Sequence, residues 1–301
     1  MTHRRAVALM VLCTLMWSIA GLVTRQLDAA RSFELTFWRS LFNAVALTIG
    51  LLALRGGAAL WGDIRRGGVV LWFSALCWGV MYTNFMVALT LTTVATVLVT
   101  MAISPLVTAL FARMFLRHRL PARTWAAIGL AGLGIAWMFG RQALEAGHSS
   151  SGALVALGVP LAAAANWTLL QHLHQRHAAD ARIDQPQMLA AVLLGALLSA
   201  LVALPLALPL SATGHDLSWL ALLGVVQLAI PCLIVVHLTS VLAAPEISLL
   251  GLLEVVFGVL LVWTGAGERP DSAALGGGAL VLVALVGNEW WDLHLRSRGL
   301  G

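Results

Sequence analysis

Long, nearly continuous apolar runs alternate along this chain with short segments that collect its arginines, prolines and polar residues. A helix crossing the hydrocarbon core of a bilayer needs about 20 mostly apolar residues. Ten runs meet that length. They are Ala6–Thr24, Glu34–Leu54, Val69–Leu89, Thr93–Leu116 and Thr124–Gly140, then Gly152–Gln171, Gln187–Leu208, Leu217–Ser240, Glu246–Gly265 and Ala273–Trp291. None alternates residue by residue as the strands of a membrane barrel would, so the spanning elements are predicted to be helices. The expected fold is an all-α membrane protein of ten transmembrane helices.

Composition sharpens this picture. Of 301 residues, 60% are hydrophobic and 10% are charged, against roughly 25% charged in soluble domains. Such a chain has too little polar surface to cover a water-facing exterior, which excludes a secreted, nuclear or cytosolic enzyme. The formal net charge is +5, and all 18 basic residues are arginines. With the N-terminus inside, the inner segments hold Arg4, Arg5, Arg55, Arg65, Arg66, Arg113, Arg117, Arg119, Arg123, Arg176, Arg182, Arg296 and Arg298. The outer segments hold only Arg25, Arg31, Arg141 and Arg269. That asymmetry predicts an inner (cytoplasmic) membrane protein with both termini cytoplasmic. It also accounts for the basic excess without nucleic acid as a partner. Trp125, Trp219, Trp290 and Trp291 fall near span ends, where indole rings favour the interface. Arg4 and Arg5, with Ser18-Ile19-Ala20 further on, loosely resemble an export signal. Nine further spans follow, so the first run is read as a retained helix. Cys13, Cys77 and Cys232 lie in apolar runs and are expected to be buried thiols outside any disulfide or metal framework.

Ten spans divide into five plus five, and an odd number per half inserts the second half upside down relative to the first. Weak internal similarity supports a division into two inverted repeats, residues 1–147 and 148–301. A constant offset of 150 lays Pro105 on Val255 and Arg119 on Arg269. A glycine-rich span follows in each half, with Gly129, Gly132 and Gly134 in one and Gly276, Gly277 and Gly278 in the other. Gly132 with Ala136, and Gly195 with Ser199, have the small-residue spacing that lets helices approach closely.

A set of short motifs recurs in a definite order: Met16-Trp17-Ser18, Phe37-Trp38-Arg39, Tyr82 with Ala88-Leu89, Ser104-Pro105-Leu106, Leu253-Glu254-Val255 and Gly267-Glu268-Arg269. Together they resemble the drug/metabolite transporter superfamily of EamA type, over nearly the whole chain. There are two departures: His118 stands where that family often has Glu, and Val255 where it often has Pro. The resemblance implies a ten-helix inner-membrane protein that exports metabolites. The tryptophan-rich core is most similar to the aromatic amino acid exporter branch.

The chain lacks a phosphate-cradling GxxxxGK[ST] loop, an HExxH motif and a serine flanked by glycines, so no catalytic residue, metal or cofactor is assigned. His172, His174 and His177 cluster beyond the sixth run. Positions i and i+2 do not share a helix face, so these histidines are read as a solvated loop end. Candidate solute-binding residues are the mid-span aromatic, polar and sulfur side chains of Trp17, Trp78, Tyr82, Met101, Trp167, Gln227, His237 and Glu254. Asn84 and Ser104 are further polar candidates. Trp78 and Tyr82, four residues apart, share a face. A solute pocket needs apolar walls and a few oriented polar groups; the plainer reading of each aromatic is packing against helices or lipid. Pro105 and Pro231 each remove a helix hydrogen bond, making them static kinks or hinges. Ser104 is placed to satisfy the carbonyl that Pro105 frees.

Arg39 and Glu254 are the costliest residues in the chain, since a charge at the bilayer centre costs at least about 2.5 kcal/mol. Their backbones are expected to differ in depth by roughly 10 Å, counted at 1.5 Å per residue. Arg39 is therefore expected to snorkel outward or to bind loop carbonyls near Glu34. Glu254 is expected to be neutral against a neighbouring helix or open to an aqueous cavity.

The function expected is secondary export of small organic solutes, first of all neutral or aromatic amino acids, by alternating access. The partners are the solute and the lipid bilayer, with a monomer as the default state. The open alternatives are another cargo, such as a cationic drug or a nucleotide-sugar-like metabolite, a channel or scaffold, and an intramembrane enzyme.

Overall fold

The structure, a computed structural model, describes residues 1–29, 32–92, 94–117, 120–145, 150–179, 188–266 and 272–297. His118, Arg119 and the Gly267-Glu268-Arg269 motif lie outside the described residues, as do Arg31, Arg182 and Arg298. Every regular element among the described residues is helical. Among those residues, nine helices are long and apolar enough to cross a membrane: His3–Val23, Phe33–Arg55, Gly68–Leu89, Thr96–Phe115, Ala122–Gly140, Ser151–Ala178, Leu189–Ala207, Gly214–Leu238 and Ala244–Gly265. The apolar part of the tenth, Ser272–Asn288, is shorter. These are called spans one to ten below.

The sequence pattern overlooks one helix. Gly57–Arg66, between spans two and three, is too short and too polar to cross a membrane. Its first turn follows Gly56, whose φ of 79° suits a residue without a side chain. Leu60 faces the protein while Trp61 is exposed, with the Arg65 guanidinium 5.3 Å from its ring centroid. Asp63 pairs with Arg55 at 2.8 Å and ties this helix to the end of span two.

Span one is interrupted at a single residue, Ile19, between His3–Ser18 and Ala20–Val23. Three other spans also depart from a continuous α-helix. Span four consists of Val94–Met101 and Ser104–Phe115, and span nine of Ala244–Gly251 and Leu253–Ala266. The breaks fall at Ala102-Ile103 and at Leu252, so the offset of 150 carries one onto the other. Pro105 therefore opens a new helical segment, where its missing N–H costs nothing. It does not kink an unbroken helix, as the sequence suggested. Span eight contains a wide π turn over Leu223–Ala229, closed by the Ile230 N–H donating to the Val225 carbonyl. Pro231 begins the α-helical segment after it. The wide turn absorbs the lost bond, so Pro231 too sits at a seam between segments.

Packing follows the ten-span order. Span five packs on span ten, and span two on span seven. Span three packs on spans six and seven; the counterparts five places later, span eight on spans one and two, pack as well. Span four packs on spans six and nine, and span nine on span one. Spans five and ten approach each other closely. A Cβ built on Gly134 would lie 2.7 Å from the Gly277 carbonyl oxygen, so neither position has room for a side chain. Gly195 is equally tight, with a Cβ there 2.9 Å from the Ala75 carbonyl oxygen. Gly132, chosen with it from the sequence, has open space beside it. The spacing of small residues was correct for one helix seam and two residues out of register for the other.

Candidate functional site

Spans one, two, three, four, six, eight and nine surround a cavity of about 170 Å³. A water needs about 15 Å³ by this measure, so there is room for on the order of ten waters or one small solute. Its aromatic wall comes from spans three and six. Trp78 and Tyr82 stack with ring centroids 5.6 Å apart, and Trp167 meets Trp78 edge-on at 5.2 Å. The i to i+4 spacing puts the first two on one face; the packing of span six on span three brings in the third. Trp17, Met101 and Gln227 complete the wall from spans one, four and eight. Gln227 also donates from Nε2 to the Trp17 carbonyl at 3.3 Å, tying span eight to span one.

The structure thus brings seven of the eight candidate binding residues to one cavity: Trp17, Trp78, Tyr82, Met101, Trp167, Gln227 and Glu254. His237 is the exception. It is exposed in the last turn of Ile230–Leu238, with Nδ1 2.9 Å from the Leu233 carbonyl oxygen. Cys232 lines the cavity. Five residues on is about 1.4 turns, which points His237 away from it. Asn84 is also outside the cavity wall, donating to the Val155 carbonyl at 3.1 Å and joining spans three and six. Ser104 lines the cavity, but its hydroxyl meets the Ser248 hydroxyl of span nine at 2.9 Å. It therefore links the two broken helices and does not cap the carbonyl freed by Pro105.

Arg39 differs most from expectation. It is 3% exposed, lines the cavity, and donates from Nη2 to the Tyr82 backbone carbonyl at 3.2 Å. Glu34, near which it was expected to find carbonyls, is itself occupied: it accepts from the backbone N–H groups of Ser211 and Ala212, each at 2.8 Å, and from the Ser211 hydroxyl at 2.7 Å. Depth along the membrane normal was a sound argument against a direct ion pair with Glu254, and none forms. It could not tell which way span two turns Arg39, because that depends on the neighbouring helices. Glu254 is half-buried, lines the same cavity and has no hydrogen-bond partner among the described residues. The sequence flagged both charges but gave no sign that they share a cavity.

Several buried polar atoms of this region also lack partners among the described residues: Arg39 Nε, Trp78 Nε1, the Tyr82 hydroxyl and Gln227 Oε1, with both side-chain polar atoms of Asn43 behind them. Buried polar groups are normally satisfied, and orphans concentrated around one cavity mark it as more than a packing defect.

Hydrogen bonds link the spans around the cavity toward the end of the bundle that carries the N-terminus. Ser104 meets Ser248 as described, and Gln171 of span six accepts from the Ala244 N–H at 2.8 Å. His174 pairs with the Thr239 hydroxyl at 3.1 Å. His3 pairs with Glu246 at 2.6 Å. His174 stands on a helix that continues to Ala179, so the histidine cluster is helical and is not a loop end. At the opposite end, Asp28, His215 and Asp216 gather within 4.8 Å of one another. Their atoms are engaged among themselves: Asp216 accepts from the Asp28 and Ala29 N–H groups, and His215 bridges Asp28 and the Trp219 indole. The three cysteines are free and buried.

Fold and cavity together define a multi-pass membrane protein built around a solute-sized central chamber. Residues 4–140, the first five spans, match the EamA-like transporter family, whose members are membrane transporters. A protein of known crystal structure superposes on the chain with a TM-score of 0.78 at 19% identity, over 98% of this chain and 99% of its own. That likeness carries the fold alone. No curated protein matches the chain.

Proposed function

We propose that the protein is a secondary transporter of the drug/metabolite superfamily that exports small organic solutes, foremost neutral or aromatic amino acids, across the cytoplasmic membrane. Residues 1–147 and 148–301 act as inverted five-helix halves, and alternating access exposes the central chamber to each side in turn. One observation carries this reading: an aromatic-walled chamber among the spans contains unpartnered polar groups, and hydrogen bonds link the spans around it toward the N-terminal end. With both termini cytoplasmic, these links lie on the cytoplasmic side of the chamber, where they would have to open to admit a solute for export.

Exchange of labelled phenylalanine by purified protein in liposomes tests the reading. Saturable exchange is expected, and Tyr82→Ala and Trp167→Ala each lower it at unchanged folded yield. Equal loss of folded protein and flux in both variants would assign the aromatics to packing. Orientation is checked separately in a cysteine-free background. Gln26→Cys should react with an impermeant reagent added outside the cell, and Ala58→Cys should not; the reverse would invert the topology.

A further inference from the structure

Burying a charge without a partner is expensive, and a buried charge left unpaired in a cavity is a group waiting for a ligand. The central chamber contains one of each sign. Arg39 enters from span two; of its three nitrogens only Nη2 has a hydrogen-bond partner among the described residues, and that partner is a backbone carbonyl carrying no full charge. Glu254 enters from span nine, in the first turn of Leu253–Ala266, and is likewise without a hydrogen-bond partner among the described residues. Both line the one chamber, yet no ion pair joins them. The rings of Trp78, Tyr82 and Trp167 line the same chamber.

We infer that Arg39 and Glu254 are the two poles of a clamp for a dipolar solute, Arg39 taking its anionic group and Glu254 its cationic group, with the apolar remainder on the aromatic wall. This rests on the transport reading and narrows it. A solute carrying only one charge would satisfy one pole and leave the other buried and uncompensated. An uncharged solute would leave both. The forked donors of a guanidinium match a carboxylate in two-point geometry, whereas the carboxylate of Glu254 accepts from an ammonium. Recognition of the solute's ends would then be set by charge and of its body by the rings. The open chamber accommodates the missing counter-charges better than a direct contact would, because a contact would occupy the groups needed for the solute.

The test compares three molecules of nearly equal shape as competitors of phenylalanine exchange: phenylalanine itself, phenethylamine, which lacks the carboxylate, and 3-phenylpropionate, which lacks the ammonium. In the unmodified protein, phenylalanine should compete about ten- to a hundredfold better than either, the range set by one charged hydrogen bond. Arg39→Gln should abolish the advantage over phenethylamine, and Glu254→Gln the advantage over 3-phenylpropionate, each without affecting the other ratio. Arg39→Lys keeps the charge and loses the fork, so it should retain part of the first advantage. It also serves if Arg39→Gln fails to fold. Phenylalanine exchanged well but matched by phenethylamine or 3-phenylpropionate would overturn the clamp and leave the carrier intact. Advantages that survive both Gln variants would do the same. No saturable exchange of any of the three would overturn the amino acid reading and the clamp with it.

Discussion

Spans four and nine are broken at equivalent points, yet the residues that follow the two breaks are chemically unlike. After the first come Ser104 and Pro105; after the second come Leu253, Glu254 and Val255. Proline is often taken as the cause of a helix break at membrane depth. Here one break has a proline just beyond it and the other does not. In span nine the Val255 N–H donates to the Leu252 carbonyl at 3.1 Å, a tightened turn that any residue can form. What the two breaks share is their setting. Both segments of span four pack on spans five and six and both segments of span nine on span one, while Ser104–Phe115 and Ala244–Gly251 pack on each other and meet through Ser104 and Ser248. Proline is therefore not the common cause of the breaks; it is one residue that tolerates them. The difference in chemistry has another consequence: the two breaks bring a neutral hydroxyl from span four and a carboxyl from span nine to the same chamber.

The largest expected effect separates the two breaks by function. Glu254→Gln keeps shape and hydrogen bonding and should lower solute exchange by about tenfold or more, the scale of a lost charged contact. It should also flatten whatever pH dependence exchange shows. Ser104→Ala at the equivalent place should change exchange by no more than about fivefold, since a neutral hydrogen bond contributes about 1 kcal/mol. Equal effects from the two would mean that the breaks matter as backbone features and that the carboxyl has no charge-dependent part.

A smaller effect concerns the link between the spans. Ser104→Ala and Ser248→Ala should each weaken the link toward the N-terminal end by about 1 kcal/mol. The double variant should be no worse than the stronger single one, because both remove the same bond. Cysteine accessibility from that side, measured at Gly251→Cys, reads the loss of the link. Additive effects would show that the hydroxyls act separately.

The smallest effects test whether proline matters at all. Pro105→Ala should leave the break in place and shift stability by no more than about 1 kcal/mol, since the segment it opens is held by its neighbours. Val255→Pro should be tolerated in the first turn of its segment at a cost of about one hydrogen bond. Thermal unfolding of both in detergent checks this. A loss of several kcal/mol from either would return proline to the centre of the explanation.

Much of this fold was legible in the sequence, and for identifiable reasons. Bilayer thickness fixes span length, so the ten apolar runs can be counted along the chain itself. The stack of Trp78 on Tyr82 followed from helical periodicity alone. The offset that laid Ala102 near Leu252 was visible as weak similarity between halves. The amphipathic helix Gly57–Arg66 was overlooked because its apolar face is too short to register as a span. His237 was placed in the chamber because a mid-run polar residue looks the same from any side of a helix, and a one-dimensional pattern carries no rotation about the axis.

Arg39 shows the same boundary most clearly. Apolar run length and the scarcity of charge were sufficient to determine a ten-helix membrane protein, because hydrophobic transfer acts on each segment almost independently of the others. They also singled out Arg39 and Glu254 as costly residues. Which way each points is a property of neither residue. Arg39 turns inward because span three offers the Tyr82 carbonyl and because Ser211 and Ala212 already hold Glu34. Those contacts join positions more than forty residues apart in one case and well over a hundred in the other. Only the assembled bundle decides them, since helix rotation and the links around the chamber arise from packing between segments.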